Sequence, residues 1–525
     1  MAYIRILSNM DGMFMLRITP ALWLFILLTS CNPTGKEPAV NENEKFTFVF
    51  LTDIHLKPES GAPEAFRLAI EKVNALQPDQ DNNLLAAEVD SDDSFFASMK
   101  ANRQWPSYRG YFACGFLDDA HLPDSFNVES GYHVKWETEI PGLGLSCPVI
   151  WNDRVFVSTA ISENDREGFR TGLYGNIEPV SDSSEHTWKL ICINRNSGEI
   201  IWEDDLHRGT PAVKRHPKSS HASTTVATDG RHLVVFLGSE GLYCYSVEGE
   251  LLWKRDFGLI RSAWNVVPTA EWEFGSSPII FQDRVIIQAD ALNTAFVAAL
   301  DLFTGETLWK QDRDEIPGWC TPNIYFDGTK PRVVVNGYKH RGGYDLETGK
   351  EIWWMSDGGD IPIPTPVVWK DLIYFNSAHG RHFPIMAVRN SLTGAIPYPE
   401  NDSVTDENIA WFYDRGGAYM NSVLVYDSLL YRLRWNGNLT CFDARDGTVI
   451  YQQTVSPTSF IASPVAADGR LYMVSERGMV FIARAGKKYE LLASIPLGEI
   501  SLVTPGIAEG VIIFRTARKL IAISS

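Results

Sequence analysis

The 7 cysteines of this 525-residue chain stand singly, with no C-x-x-C, no adjacent pair and no C-x-x-C-H. Such spacing excludes a disulfide scaffold, a zinc ribbon and a covalently attached haem. Basic runs are missing too. With 47 Lys and Arg against 65 Asp and Glu, the formal net charge is -18, and nowhere does positive charge concentrate as phosphate-backbone binding requires. No nucleic-acid partner is expected. The apolar run near the N-terminus, Leu22 to Leu28 (LWLFILL), is too short to span a bilayer. Hydrophobic residues nonetheless make up 45% of the chain, enough for a large core and far from a disordered composition.

The LWLFILL run follows Arg17 and leads through Thr29 and Ser30 to Cys31, which is the pattern of a secretory signal peptide. Leu28-Thr29-Ser30-Cys31 resembles a bacterial lipobox, and the resemblance implies that Cys31 is lipidated and becomes the mature N-terminus. An ordinary signal peptide that leaves Cys31 without a role is the alternative. Residues 1–31 are read as the leader and the polar stretch 32–45 as a flexible tether. The expected protein is exported to the cell envelope, as an outer-membrane lipoprotein facing the periplasm or the cell surface.

Phe46 to Leu56 (FTFVFLTDIHL) is an apolar strand running into Asp-x-His, followed by helical apolar spacing from Pro63 to Leu76. It resembles the opening strand and helix of a calcineurin-like metallophosphoesterase, which implies that Asp53 and His55 correspond to ligands of a two-metal site. Such a site needs further ligands from Gly-Asp and Gly-Asn-His steps. The chain instead continues into QDNNLLAAEVDSDDS, and Gly-Asn-His occurs nowhere. Residues 46–102 are therefore read as a truncated fragment and linker, with Asp53 and His55 as remnants.

From residue 103 onward the chain repeats itself. The clearest unit is Ser276 to Gln311, SSPIIFQDRVIIQADALNTAFVAALDLFTGETLWKQ. Its turn-and-Trp half recurs around Trp202, Trp253, Trp309 and Trp353 and weakens at Tyr451. Its strand-start half recurs at Cys147-Pro148, Thr224-Thr225, Ser277-Pro278, Thr321-Pro322, Thr365-Pro366, Ser422-Val423, Ser463-Pro464 and Thr504-Pro505. Steps between starts range from 41 to 77 residues and cluster near the length of a four-stranded propeller blade, with insertions at about 160–188 and 391–410. The final unit has only three strands, while His133 to Ile140 with Trp136 is an isolated fourth. The expected fold is all-β: an eight-bladed β-propeller of four-stranded antiparallel blades over 103–525, its ring closed by that N-terminal strand pairing with the last blade. A single closed ring is expected to be a monomer. Trp136, Trp202, Trp253, Trp309 and Trp353 are read as inter-blade packing residues. Cys192, Cys244 and Cys441, at one repeat position, are read as small buried apolar groups.

WPSYRG at Trp105 to Gly110, GLGLSCPVIWNDRVFVSTA, EFGSSPIIFQDRVIIQ and FIASPVAADGRLYMVSERGMVFI resemble the PQQ-binding-like (quinoprotein-type) β-propeller repeat proteins over about four-fifths of the chain. That resemblance implies the fold and leaves three functions open, because one propeller serves many. A PQQ-dependent dehydrogenase would use the quinone with Ca²⁺ as Lewis acid. The adjacent cysteines and haem motif common in that class are missing, so neither cofactor nor catalysis is expected. An outer-membrane assembly factor of the BamB type is the second reading. The third is a binding protein that takes an envelope protein partner or an anionic or carbohydrate ligand in its funnel. Loops on one propeller face carry His340, Arg341, Arg381, Arg434, Trp435, Arg477 and Arg515, and the connections between blades add His221, Trp272, Trp319, Arg415 and Tyr419. On an acidic chain this basic and aromatic rim is a local inversion of the field and predicts an anion-accepting face. The alternative is that the rim cations pair with neighbouring acids such as Asp290, Asp360 and Glu476.

Overall fold

A computed structural model describes residues 103–164, 168–172, 178–402 and 405–525, together with the backbone of three short N-terminal strands. The chain divides into two compact units, Met1–Glu88 and Val89–Ser525. In the first, Arg5–Ser8, Met13–Ile18 and Leu22–Leu27 pair as an antiparallel meander. Cys31, the tether, Asp53, His55 and the rest of the fragment lie outside the described residues.

Short runs of β-branched and aromatic residues punctuated by Asp and Gly turns fold the second unit into eight sheets arranged as propeller blades. Blade one is Val149–Trp151, Arg154–Ser162, His186–Asn194 and Ile200–Gly209. Blade three is Ile279–Phe281, Arg284–Asp290, Ala295–Asp301 and Thr307–Asp312. The last blade takes Gly506–Ala508, Val511–Arg515 and Lys519–Ile523 from the C-terminus and Val134–Glu139 from the start of the ring. Trp136 stands opposite Ala522 and Glu139 opposite Lys519, so the ring closes as expected and no blade is left incomplete.

One device holds neighbouring blades together. Trp136, Trp202, Trp253 and Trp309 each donate their indole N–H to a carbonyl of the following blade: Arg195, Val247, Leu302 and Leu346, at 2.7 to 3.1 Å. Trp411, missed in the sequence because an insertion precedes it, does the same to Ala444 at 2.9 Å. Each indole covers a turn glycine of that next blade: Gly198, Gly249, Gly305, Gly349 and Gly447. The third-strand residue opposite each Trp is small, namely Ala522, Cys192, Cys244, Ala299 and Ala387, which makes room for the ring. In each of these blades a β-bulge follows that residue and re-aims the outer strand. The cysteines at this position are buried and free. Gly305 combines φ +70° with a Trp253 ring atom 2.6 Å from where a Cβ would lie. Gly305→Ala is expected to cost about 2–3 kcal/mol, from left-handed strain plus displacement of the indole. A thermal melt that matches the parent would show that the docked ring is not held this way.

Blade five departs from the pattern, and with it Trp353. Gly394–Ala395, inside the expected 391–410 insertion, pairs in parallel with Trp353–Trp354 as a fifth strand on blade four. Its turn glycine is thereby drawn away from the docking position, and Trp353 donates instead to the Tyr325 hydroxyl of its own blade at 3.0 Å. The other insertion is the long link between the second and third strands of blade one.

Candidate functional site

Links between second and third strands, and links between blades, share one face of the ring. Where the first strands begin, eight side chains circle the axis in a closed chain of hydrogen bonds. The amide of Cys147 donates to Thr225 Oγ1, Thr225 to Ser277 Oγ, Ser277 to Thr321 Oγ1 and Thr321 to Thr365 Oγ1, at 2.9 to 3.3 Å. Thr365 then donates to Ser422, Ser422 to Ser463 and Ser463 to Thr504, each at 3.0 Å. The Thr504 amide closes the circle on the Cys147 sulfur. The ring member of blade two is Thr225, so the pair aligned with the other starts is Thr225-Val226, one residue beyond Thr224-Thr225. Proline follows most ring members and holds each in an extended conformation, which aims the hydroxyl at the preceding blade.

Above this ring lies a cavity of about 190 Å³, walled by Trp272, Trp319, Tyr419, Ile363 and Met420, with His216 and Lys218 on one side. The walls belong to an aromatic canopy from the connections between blades two to six. Trp264 stacks on Trp272 at 6.3 Å with planes 10° apart, Trp272 meets Trp319 at 5.5 Å, and His379 lies between Trp264 and Tyr419. Trp319 is fixed by its indole N–H on the Glu273 carbonyl at 2.7 Å.

The opposite end of the axis is stoppered by residues 103–126. Trp105 pairs with Ile150 of blade one, the Thr228 amide of blade two donates to Pro106, Asn323 of blade four donates to Phe112, and Leu117 pairs with Ala466 of blade seven. Arg109 is fully buried and donates to the carbonyls of Ala113, Ser422, Pro464 and Val423. Tyr108 lines both the axial cavity and a second one of about 330 Å³ beneath it, with its hydroxyl 3.3 Å from Ser463 Oγ. In the sequence, WPSYRG carries only a family resemblance. Its role as a stopper depends on contacts across more than 300 residues.

Not every expected rim residue is on the rim. Trp272, Trp319 and Tyr419 wall the cavity, and Arg381, Arg415, Trp435 and Arg477 are exposed. Arg434 is half-buried, bound to the carbonyls of Gly417 at 3.1 Å and Arg415 at 2.6 Å. Arg341 and Arg515 are corrections. Arg341 is buried between blades four and five, on the Asp357 carbonyl and near the Phe375 ring. Arg515 is buried at the seam of blades eight and one, on the carbonyls of Ser146 and Ser158 at 2.8 and 2.9 Å, and burial lowers its pKa to about 10. Arg341 opens the third strand of blade four and Arg515 ends the second strand of blade eight, and both side chains turn inward, where carbonyls solvate the guanidinium. His340 stacks on Trp354 at 4.5 Å, away from the axis. The acids named as rim partners are engaged too: Asp290 holds Arg313 at 2.9 Å, Asp360 holds His379 at 2.6 Å, and Glu476 pairs with Lys218.

His221 is buried against the Glu273 carboxyl, and its ring meets His186 at 5.1 Å. Burial pushes the His221 pKa down to about 4 and that of Glu273 up to about 8. Glu240 is also buried and is raised to about 7, by burial first and then by the charge of Glu273. This cluster buttresses the cavity wall through the segment Trp272-Glu273-Phe274. Glu240 and Glu273 carried no sequence signal as a pair, being 33 residues apart in separate connections.

A family profile described as "Outer membrane protein assembly factor BamB" matches residues 188–353. The outer membrane protein assembly factor BamB of Yersinia pestis is 22% identical over 326 residues, covering 61% of this chain. The chain spans 65% of that relative's length. Among solved structures, quinohemoprotein alcohol dehydrogenase from Comamonas testosteroni superposes with TM-score 0.54 at 11% identity, over 82% of each chain. BamB from Moraxella catarrhalis superposes with TM-score 0.47 at 12% identity, over 70% of this chain and 98% of its own. With the repeats, the closed ring and the profile match together, the chain is an eight-bladed β-propeller whose residues 188–353 are similar to the BamB profile.

Proposed function

We propose that the chain is an exported, lipid-anchored binding and scaffold protein that engages an envelope protein partner at its funnel face. The canopy is the observation that carries this reading. It gathers Trp264, Trp272, Trp319, Phe383 and Tyr419 at one mouth of the ring, and the same face exposes Val266 at 62%, Leu259 at 47% and Trp435 at 37%. Aromatic groups ringed by polar ones are what protein interfaces enrich. Exposed Arg381, Arg415 and Arg477 favour an acidic partner surface, chiefly by speeding encounter. The Yersinia pestis relative, named as an assembly factor for outer-membrane proteins, supports assembly of that class as the process served.

The dehydrogenase reading finds no support in the cavity. No Asp or Glu lines it, so it has no carboxylate to hold Ca²⁺ or to act as base. Lys218, its one Lys or Arg, is engaged by Glu476, which leaves little to receive a quinone with several carboxylates. The Val266→Asp, Trp435→Ala double variant alters exposed side chains only. It is expected to melt like the parent yet to recover a cross-linked envelope partner at least tenfold less, at about 2 kcal/mol or more for hot-spot loss. Undiminished recovery of the same partner would overturn the funnel-face reading.

A further inference from the structure

We propose that the axial cavity is a binding site for a carboxylate carried on an aromatic or aliphatic body, a proposal that rests on the funnel face being the working face. The hydroxyl ring beneath it carries the argument. Each ring oxygen already accepts an amide N–H from the preceding blade. Its own proton must therefore point elsewhere, since one hydroxyl supplies one donor besides its lone pairs. The Thr225 hydroxyl turns to the Cys147 sulfur. For Ser277, Thr321, Thr365 and Thr504, all lining the cavity and all at least 96% buried, that proton meets no acceptor among the described residues. Four neutral donors converge on one axis, and the Cys147 thiol, held protonated by burial with its pKa raised to about 11, adds a fifth, weaker one.

Ser463 shows the contrast. It belongs to the same ring but does not line the cavity, and its hydroxyl is engaged with Tyr108. Convergent donors with no acid in the lining call for an acceptor that the ligand brings. A carboxylate fits, because O–H donors bind an anion more strongly than a neutral carbonyl. A phosphate dianion does not. Lys218 is paired with Glu476, and His216, with its pKa lowered to about 4 by burial, adds no charge at neutral pH. Above the ring, Trp272, Trp319, Ile363 and Met420 present apolar walls suited to one aromatic ring or a short aliphatic chain. The anion site expected on the basic rim is thus relocated to the axis, where hydroxyl protons replace guanidinium groups.

Two sources share this chemistry, a free small acid and the C-terminus of a partner chain, and calorimetric titration of the full chain separates them. The probes are 3-phenylpropionate, its neutral amide, and a pentapeptide ending in Phe with a free or amidated C-terminus. A Kd at or below about 1 mM is expected for at least one free-acid probe, with its amide at least tenfold weaker. Tighter binding of the peptide acid assigns a chain terminus, and tighter binding of the small acid assigns a metabolite-like ligand. Thr321→Val, which keeps shape but removes the donor, is expected to weaken the acid at least tenfold, and Thr321→Ser to restore it. Ser422→Ala, in the ring but outside the lining, tests for a merely structural role and is expected to leave affinity unchanged. Equal binding of acid and amide, no binding of either acid, or a Thr321→Val variant that binds like the parent would overturn the proposal. If partner recovery still depends on Val266 and Trp435 in that event, the scaffold reading survives; if both fail, the funnel face itself is in question.

Discussion

Arg109→Ala is expected to lower the melting temperature of the propeller by several degrees, through a loss of about 3–5 kcal/mol. The guanidinium is wholly buried beneath the axis and reaches Ala113 of its own segment at 3.2 Å, Ser422 and Val423 of blade six at 3.4 and 2.8 Å, and Pro464 of blade seven at 3.3 Å. Burial lowers its pKa, yet guanidinium stays charged at any working pH, so these carbonyls act as its solvent. Truncation leaves carbonyls without a donor in a dry site, each at about 1–3 kcal/mol, and opens a void at the meeting point of two blades and the stopper. Relief of a desolvated cation offsets part of that cost. Arg109→Met separates the contributions, because it fills much of the volume and supplies no donor. It is expected to recover less than half of the loss, and Arg109→Lys somewhat more, since an ammonium cannot fan out to carbonyls on three segments. Thermal melts and the rate of proteolysis within 103–126 are the readouts. A methionine variant as stable as the parent would show that packing alone holds the stopper.

The fold was legible where period and chemistry repeat. Eight strand starts, the Trp at the outer strand and the stranded fourth strand at Trp136 were enough to give the ring and its closure, because each recurs at a fixed place in a unit too small to bury itself. The Ser/Thr-Pro starts were seen as markers of register. Their chemistry was hidden, since a hydroxyl that bonds the preceding blade has its partner 41 to 78 residues away. Trp353 looked like its fellows because the local motif is intact; what differs is a strand donated from the 391–410 insertion. The rim was half legible. Loop position is readable from the repeat, which placed Trp272, Trp319 and Tyr419 correctly, whereas the inward turn of Arg341 and Arg515 is set by strand register and by carbonyls on other blades. Exposure of a cation cannot be read from its loop alone.

Stability is expected to fall as pH rises from about 5.5 to 8, and Glu240→Gln is expected to remove the part of that fall that lies below about pH 7. Glu240 and Glu273 have folded pKa values of about 7 and about 8 against an ordinary 4.5, burial being the main cause for both. Between those values the folded chain holds protons that the unfolded chain has released. Their contribution is therefore complete below pH 4.5 and is lost as pH climbs through the folded values. His221 and His216, both lowered to about 4 from 6.5 by burial, act in the opposite sense. Their contribution is present above pH 6.5 and is lost as pH falls toward 4. The two effects oppose each other from 4.5 to 6.5, and only the carboxyl effect operates from there to 8. Glutamine at 240 keeps an acceptor for the Ala212 amide, which now reaches Oε1 at 3.1 Å, and cannot ionise beside Glu273. The variant should match the parent at pH 5.5 and exceed it by about 2 kcal/mol at pH 8.5, at roughly 1.4 kcal/mol per pKa unit. Melting curves of both proteins across that range decide the matter. Parallel curves would mean that Glu240 is ionised throughout and compensated within the fold, and the cluster behind the cavity wall would then carry a fixed charge rather than a titrating one.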